Sequence, residues 1–293
     1  MVTEAALLVT GASGHLGRRA LELLLGRGAK RIIAATRTPD TLADFAARGV
    51  EVRRADFDDP ASLKSAFASA DRLLLISTDA VGQQGRRLNQ HRNAIQAAEA
   101  VGVRHVVYTS LVNPVDTPVT LAPDHAGTEA ALEASPLGWT VLRNSIYAEG
   151  LVDAVRRAAE SGIWASAVGA GRCAYVTRED CAQAAAAALA GSFERRRTLD
   201  ITGPAALSGE DLARIAGSLS GKPVQFTPLP ASVLLGYMVG AGLPQPFAEL
   251  LASFDDGIAQ GRFSSVSTAV ADLTGRPPIS VETFLASQRG ISA

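Results

Sequence analysis

The sequence predicts a doubly wound α/β fold, in which helices cover both faces of a parallel sheet. Short apolar segments alternate with longer amphipathic segments along the first half of the chain. Most of the short segments are apolar throughout, as expected of strands that are buried on both faces of a parallel sheet. The chain of 293 residues is 47% hydrophobic and only 19% charged, which excludes disorder for most of its length.

The predicted strands and helices alternate from the start of the chain. Strands are expected at residues 5–10, 31–36, 50–55, 72–77, 105–110 and 139–143. The segments between them are expected to be helices, at residues 15–28, 38–48, 59–69, 89–101 and 125–135. Gly28, Gly49 and Gly102 stand where three of these helices end, as C-terminal glycines do. Strands that are joined by helical crossovers form a parallel sheet.

The order of elements is less regular in the second half. An alanine-rich helix at 181–190 precedes a seventh strand at 197–202, which is expected to return to the sheet. A helix at 208–220 and a strand-like segment at 222–227 follow, and the rest is rich in glycine and proline.

Charge and cysteine content exclude several classes of protein. Lys plus Arg total 28 against 29 Asp plus Glu, so the chain lacks the positive field that attracts nucleic acids. Two cysteines, Cys173 and Cys181, cannot build a disulfide framework or a four-ligand zinc site, and no metal-ligand cluster stands out. No apolar segment approaches the roughly 20 residues of a membrane helix. With an acid in Met1–Glu4 where a signal peptide is basic, we expect a cytoplasmic protein without a membrane partner.

A glycine-rich turn follows the first predicted strand and opens the first helix. Its spacing, Gly-x-x-Gly-x-x-Gly over Thr10–Gly17, predicts a dinucleotide-binding turn. Gly11 allows the sharp turn, Gly14 allows backbone N–H groups to approach a pyrophosphate, and Gly17 allows helix and sheet to pack closely. The other residues assigned to this cofactor-binding turn are Ser13, His15 and Leu16. The alternative is a turn that is only structural.

The end of the second strand indicates which dinucleotide binds. An acid at this position holds the ribose 2′-hydroxyl of NAD, whereas an arginine suits the 2′-phosphate of NADP. The sequence has Arg37 there, and arginine forms bidentate bonds with phosphate. NADP(H) is therefore the predicted cofactor, and an arginine that is merely solvated in a loop is the alternative.

Further cofactor contacts are expected where other strands end, because ligands lie at the carboxyl ends of parallel strands. Asp56 and Phe57 are placed by the adenine, Ser77 and Thr78 on the nicotinamide side, and Thr109 and Ser110 beside them.

The elements and the turn together define the expected domains. Residues 1–150 are predicted to form a dinucleotide-binding Rossmann domain, to which residues 176–203 return. Residues 151–175 and 204–293 are assigned to a smaller C-terminal α/β subdomain that binds the substrate.

The Thr10–Gly17 motif resembles the extended and atypical short-chain dehydrogenase/reductase families. Most of those enzymes use a Tyr-x-x-x-Lys pair as proton donor, and this pair is absent here. The residues four positions after the four tyrosines are Val112, Leu151, Glu179 and Ala241. No lysine lies between Lys64 and Lys222 either, so the lysine of isoflavone-reductase-like relatives is also missing.

Other segments resemble the NmrA-like branch, and within it the NAD(P)H:quinone oxidoreductase type 2 and triphenylmethane reductase subgroup. These segments are Leu74–Ser77, Gln90–Asn93, Tyr108–Leu111, Asp124–Glu129, Leu142–Asn144 and Tyr175–Ala182. The resemblance covers nearly the whole chain and implies NADPH-dependent reduction of quinones or related conjugated acceptors. The missing pair is compatible with this chemistry. Reduction of a quinone leaves a phenolate-like oxygen that can take its proton from water, whereas reduction of a simple ketone leaves a far more basic alkoxide that needs a built-in acid.

Three residues are candidates for contact with the acceptor. His125 and Glu129 are four residues apart and share a helix face, so His125 is a candidate proton donor whose basicity Glu129 would raise. Asn144 and Tyr147 follow the sixth strand and are placed to hydrogen-bond a carbonyl oxygen. An exposed His–Glu pair and simple packing of Tyr147 are the alternatives. The polar segment Val81–Gly85 is either a lid or an ordinary loop.

Two other functions remain open. A non-catalytic sensor would bind NAD(P) through the same turn, turn over nothing and present an apolar patch to a protein partner. A sugar-nucleotide epimerase or dehydratase ranks below both, because those enzymes need the Tyr–Lys pair. The expected partner is a small quinone-like substrate, and a homodimer is considered but not decided by the sequence.

Overall fold

The computed structural model describes residues 5–83 and 85–288. Gln84 in the polar segment Val81–Gly85, and the acidic start Met1–Glu4, lie outside the described residues.

The strands alternate with helices as the sequence predicts. In chain order they are β1 (Leu7–Val9), β2 (Ile32–Thr36), β3 (Glu51–Arg54), β4 (Arg72–Leu75), β5 (His105–Leu111), β6 (Gly138–Asn144), β7 (Ile163–Ser166), β8 (Arg172–Cys173), β9 (Arg196–Ile201), β10 (Leu207–Ser208) and β11 (Gln225–Pro228).

The helices connect these strands and fill the C-terminal part. They are α1 (His15–Gly26), α2 (Ala43–Ala46), α3 (Pro60–Phe67), α4 (Arg86–Ala100), α5 (Ala122–Ala134), α6 (Val152–Ser161), α7 (Arg178–Ala190), α8 (Gly209–Ser220), α9 (Ala231–Gly240), α10 (Gln245–Ala259), α11 (Ala269–Thr274) and α12 (Val281–Ala286). Two 3-10 helices, Pro39–Leu42 and Ala148–Leu151, precede α2 and α6. None of the described helices is long and apolar enough to cross a membrane.

Seven strands form the central sheet in the order β3-β2-β1-β4-β5-β6-β9. β1 pairs in parallel with β2 and β4, and the pairs β2–β3 and β4–β5 are parallel too. The chain proceeds to one side of β1 and then to the other, so the order reverses between β1 and β4. Ligands of open α/β sheets bind at such a switch point. The predicted doubly wound fold is confirmed.

Burial explains why the inner strands are apolar throughout. Every residue of β1, β2 and β4 is buried. Leu8, Ile33, Leu73 and Leu75 belong to one core cluster together with the buried face of α4. β3 lies at the sheet edge and none of its residues is fully buried, which explains why its sequence, Glu51–Arg54, carries three charged residues.

Arg72 is a charged residue inside this apolar framework. Its side chain is buried, and its Nε donates to the carbonyl of Leu189 at 2.8 Å. Its Nη2 donates to the carbonyls of Ala188 and Phe193. Arg72 therefore satisfies the last carbonyls of α7 and lies at the negative end of its dipole. Burial lowers the pKa of Arg72 to about 10, which leaves it charged at neutral pH.

The chain divides into two compact units. The first contains the described residues up to Ser110 together with Asp124–Arg143 and Cys181–Leu199. The second contains Leu111–Pro123, Asn144–Asp180 and the described residues from Asp200 onward. Residues 111–123 and 144–150 thus belong to the second unit, although the sequence assigned them to the first domain, residues 1–150. That the second unit binds the substrate stays a prediction.

The second unit has its own core and its own small sheets. β7 pairs in parallel with β11, and β8 pairs antiparallel with β10. Its core cluster includes Trp164, Tyr175, Leu212 and Ile258. β7 and α6 lie in the part of the chain for which the sequence predicted no regular element. The strand predicted at residues 222–227 overlaps with β11.

Three of the four histidines are buried, and burial lowers the pKa of each of them. The pKa falls to about 3 for His91 and for His105, and well below its ordinary value for His125. Desolvation is the main cause in all three, followed by repulsion from nearby arginines. The fourth histidine, His15, is exposed.

These pKa values predict that the protein loses stability as the pH falls from 7 to 5.5. The unfolded chain takes up a proton on each histidine near pH 6.5, whereas the folded protein keeps the three buried rings neutral. Each ring lowers the free energy of unfolding by up to about 1.4 kcal/mol per pH unit below 6.5. Asp124 and Asp255, whose pKa values burial raises, oppose the trend at lower pH, which sets the lower limit of this window.

Urea denaturation at several pH values measures this loss. A free energy of unfolding that stays constant between pH 7 and 5.5 would contradict the prediction.

Candidate cofactor-binding site

A groove opens in the first unit at the carboxyl ends of β1, β2, β3 and β4. Its volume is about 230 Å³. Its lining residues come from the turn after β1 and from the segments that follow the neighbouring strands: Gly11, Ser13, Gly14, Ala35, Thr36, Arg37, Ala55, Asp56, Phe57, Ile76, Ser77, Thr78, Asp79 and Gln90. The groove thus lies at the switch point of the sheet.

The glycine-rich turn is shaped by close backbone contacts. Gly11 has a φ of +57°, in the left-handed region that favours glycine. A Cβ on Gly17 would lie 2.3 Å from the Gly11 carbonyl oxygen, so only glycine fits there. The N–H of Gly14 donates to the Gly11 carbonyl at 3.0 Å, which closes the turn.

The start of α1 presents backbone N–H groups without a side-chain cap. Gly14 stands at the cap position and offers no acceptor, and the first turn of α1 contains no acid. Asp59 caps α3 and Ser208 caps α8 through their side chains, whereas α4, α6, α9 and α10 lack such a cap as α1 does. The start of α1 differs from these because Ser13 and Gly14 line the groove. An uncapped helix N-terminus of this kind binds an anion such as a pyrophosphate.

Two threonines hold the floor of the groove together. The Thr10 hydroxyl donates to the Leu74 carbonyl and accepts from the Ile76 N–H, both at 3.0 Å. Thr10 thereby links the ends of β1 and β4. At the end of β2, the Thr36 hydroxyl donates to the Ser13 hydroxyl at 2.9 Å, which ties the glycine-rich turn to that strand.

Arg37 lies at the rim of the groove and is well exposed. Its Nη2 is 3.7 Å from a carboxylate oxygen of Asp79, which lies on the segment after β4. Both side chains are largely solvated, so their attraction is weak. Arg37 can therefore exchange this partner for a phosphate, which carries more charge and accepts two parallel hydrogen bonds.

The backbone of Thr78 is held from both sides by residues of α4. Its N–H donates to His91 Nε2 at 3.0 Å, and its carbonyl accepts from Arg87 Nε at 2.7 Å. Because Nε2 accepts, the neutral ring carries its proton on Nδ1, which contacts the Thr128 hydroxyl at 2.8 Å. The lowered pKa of His91 keeps the ring in this form at neutral pH.

Polar atoms in the groove wall fit a polar ligand. The Thr78 hydroxyl and the Gln90 side-chain carbonyl are buried and have no hydrogen-bond partner among the described residues. Such atoms are rare in folded proteins and call for a ligand or a water. With the uncapped helix and Arg37, they make the residues of this groove suitable for a phosphorylated dinucleotide.

The predicted cofactor residues divide into two groups. Those that line the groove are Gly11, Ser13, Gly14, Arg37, Asp56, Phe57, Ser77 and Thr78. His15, Leu16 and Gly17 belong to the first turn of α1 behind the lining. Thr109 and Ser110 are buried in β5, where the Thr109 hydroxyl accepts from the Ser77 N–H at 2.9 Å.

Several groove residues were not expected from the sequence. They are Ala35, Thr36, Ala55, Ile76, Asp79 and Gln90. Most of these residues are next to a predicted residue at a strand end. They could have been predicted too, because ligands lie at the carboxyl ends of parallel strands. Gln90 lies on α4 and not at a strand end. The one sequence signal for it was its position in Gln90–Asn93, a segment that resembles the NmrA-like branch.

His125 is buried, and its Nδ1 lies 2.9 Å from the Tyr108 hydroxyl. The expected pairing with Glu129 is wrong. The Glu129 carboxylate accepts two hydrogen bonds from Arg143 and one from the Ser110 hydroxyl instead. Burial lowers the pKa of His125, whereas a paired carboxylate would have raised it.

Asn144 and Tyr147 lie in the second unit and contact each other. The Asn144 Nδ2 donates to the Tyr147 hydroxyl at 3.3 Å. Asn144 is buried, and its Oδ1 has no partner among the described residues. The guanidinium of Arg178 lies 5.4 Å from the centre of the Tyr147 ring. The phenol oxygen thus accepts a hydrogen bond from the Asn144 amide.

Comparison with known proteins shows the family of this chain. The family described as NAD(P)H-binding matches residues 11–191, which include the three glycines of the turn and all the groove residues. This chain belongs to that NAD(P)H-binding family. The expected resemblance to quinone oxidoreductase type 2 and triphenylmethane reductase is confirmed by the relatives.

Individual relatives cover nearly the whole chain. Quinone oxidoreductase 2 of Escherichia coli is 36% identical over 270 residues, which are 92% of this chain and 93% of the relative. The structure of that NADPH-dependent enzyme in complex with NADPH has a TM-score of 0.90 and 35% identity, and the alignment covers 95% of this chain and 98% of that one. Triphenylmethane reductase of Citrobacter sp. in complex with NADP(H) has a TM-score of 0.90 and 33% identity, covering 96% and 98%.

The position of Arg37 predicts a change in cofactor preference when it is removed. Arg37→Ala should weaken the binding of NADPH about tenfold or more and leave NADH binding nearly unchanged, because only NADPH carries the 2′-phosphate. Calorimetric titration with both dinucleotides measures the two affinities. Arg48→Ala, which removes an exposed arginine outside the groove, is the control. An unchanged ratio of the two affinities in Arg37→Ala would refute the role of Arg37.

Proposed function

We propose that this chain is an NADPH-dependent reductase of quinones or similar conjugated acceptors. The observation that carries this proposal is the groove at the switch point, with its uncapped helix start and Arg37. The 36% identity to a quinone oxidoreductase over 92% of the chain supports the choice of acceptor. We also propose a cytoplasmic location, which the two free, buried cysteines favour.

The groove residues would bind and orient the cofactor. Bound NADPH supplies the hydride that reduces the acceptor. The N–H groups at the start of α1 would hold the pyrophosphate, and Arg37 would hold the 2′-phosphate. Thr78, whose backbone His91 and Arg87 fix, would place its unpaired hydroxyl against the ligand. Fixed geometry of this kind lowers the entropic cost of reaction.

The acceptor oxygen is proposed to bind Tyr147. Hydride addition to a quinone leaves a phenolate-like oxygen, which needs one hydrogen bond and one proton but no strong acid. The Tyr147 hydroxyl would supply the hydrogen bond, and the Asn144 amide, which donates to the phenol oxygen, would hold the phenol in place. Water supplies the proton. This division of roles suits a chain that lacks the Tyr-x-x-x-Lys pair.

We propose that the neutral ring of His125 positions the Tyr108 hydroxyl and does not donate a proton. Burial holds its pKa well below the ordinary value, so a charged imidazolium is not present at neutral pH. The ring contacts the Tyr108 hydroxyl, and both groups are buried in the first unit. A positioning role for His125 therefore agrees with its surroundings better than the donation of a proton from an imidazolium.

The proposed activity predicts that the purified protein oxidises NADPH when 1,4-benzoquinone is added, with a slower reaction when NADH replaces NADPH. The decrease in NADPH absorbance measures the rate. Tight binding of NADPH without turnover of any quinone or dye would contradict the proposal and would favour the non-catalytic sensor.

The proposed role of Tyr147 predicts a specific kinetic defect. Tyr147→Phe removes the hydroxyl but keeps the ring beside Arg178, so kcat/KM for the quinone should fall about tenfold, as expected for one lost hydrogen bond in the transition state. The affinity for NADPH should stay the same. Tyr237→Phe is the matched control, since Tyr237 is exposed on α9. If Tyr147→Phe keeps the native kcat/KM, Tyr147 does not contact the acceptor.

A further inference from the structure

The second unit contains a cavity of its own, which we call the second-unit cavity. Its volume is about 170 Å³. Its walls come from the 3-10 helix before α6, from α6, β7 and Tyr175, and from the start of α8, α9 and α10. A cavity of about 150 Å³ is enough to hold benzene in a folded protein. The size of the second-unit cavity therefore fits one six-membered ring.

The walls of the cavity are mainly apolar. Leu151, Trp164, Val168, Leu212 and Ile258 line it, and all of them are buried in the core of the second unit. Leu234 of α9 closes another side. Apolar walls of this kind favour a ring ligand through burial and dispersion contacts.

Two polar groups of the β7 wall lack partners. Trp164 Nε1 and the Ser166 hydroxyl are buried and have no hydrogen bond within the part of the chain that the structure describes. A buried polar group that stays unpaired is costly, so a ligand that pairs with it gains affinity. The indole N–H can only donate, so a ligand that satisfies it must carry an acceptor, whereas the hydroxyl can donate or accept.

The charge of the cavity wall selects against anions. Asp255 is the only Asp, Glu, Lys or Arg among the lining residues, and its Oδ2 accepts from the Ala167 N–H at 2.8 Å. A carboxyl group in this position repels a carboxylate or a phosphate. Tyr175, another buried side chain of the wall, is a phenol and carries no charge at neutral pH, since burial raises its pKa.

One wall of the cavity is less firmly packed than the others. α9 contains no buried residue, although every side chain in it is apolar or small except for Ser232 and Tyr237. A helix that buries so little is held by fewer contacts and opens at lower cost than the core elements. α9 is therefore the wall through which a ring ligand would enter.

We propose that the second-unit cavity binds an uncharged single-ring phenol or quinone. Its volume, its apolar walls and the unpaired Trp164 N–H and Ser166 hydroxyl carry this assignment. A phenolic or quinone oxygen accepts from the indole N–H, and the ring fills the apolar space. The proposal concerns binding alone and does not depend on the reductase activity.

Trp164 provides a direct readout, because the chain has only two tryptophans. In the variant Trp139→Phe, Trp164 is the single tryptophan. Adding phenol should quench or shift its fluorescence in a saturable manner without any dinucleotide present, whereas benzoate, an anionic ring of similar size, should bind at least tenfold more weakly. The absence of a saturable change with phenol would overturn the proposal.

Two substitutions in this background locate the bound ring. Ala154→Phe fills the cavity from α6 and should weaken phenol binding at least tenfold, whereas Ala159→Phe, on the same helix but outside the lining, should not. Ser166→Ala removes a hydroxyl without a partner, so it should leave folding intact and weaken binding about fivefold. Phenol binding that neither Ala154→Phe nor Ser166→Ala weakens would place the ring elsewhere and overturn the proposal.

Steady-state inhibition distinguishes two sources of the ring. If phenol competes with benzoquinone, the cavity takes the ring of the acceptor itself. If phenol inhibits without competing, the cavity takes a separate effector. Both results support a ring-binding site in the second-unit cavity. The fluorescence titration tests this site independently, because it does not require that any quinone be reduced.

Discussion

The close approach of α1 to the turn before it is the constraint on which the groove depends. The helix can reach the Gly11–Ala12 backbone only because residue 17 has no side chain, since a Cβ there would lie 2.3 Å from a carbonyl oxygen. Gly14, which precedes the first turn of α1, therefore lies in the groove lining. The N–H groups of a helix start at this place would favour a bound anion.

The opposite wall of the groove depends on buried polar groups. His91 and Arg87 hold the backbone of Thr78, and His91 can do so only as the neutral Nδ1–H tautomer. Burial secures this state by lowering the pKa, and the same burial makes the folded protein sensitive to acid. The geometry of the site and the stability of the fold thus depend on the same side chain.

Much of the fold could be predicted from the sequence, because β1, β2 and β4 are buried on both faces and so are apolar throughout. The turn could be predicted because its backbone contacts require glycine at fixed positions. The side-chain contacts between elements that are distant in sequence could not be predicted. The spacing of His125 and Glu129 places both on one helix face, but the partner of Glu129 is Arg143, a residue of a strand whose contact with α5 no local pattern encodes.

The missing Tyr-x-x-x-Lys pair is consistent with the polar groups that the second unit retains. A strong acid is needed only where the product oxygen is strongly basic, and a hydroquinone oxygen is not. An acceptor of that kind requires orientation more than protonation. In the proposed function the Asn144–Tyr147 pair would provide this orientation, because the amide donates to the phenol oxygen and so fixes the phenol. The Asn144 Oδ1 is buried and has no partner among the described residues, so in the same proposal it would accept from a hydroxyl of the reduced ring.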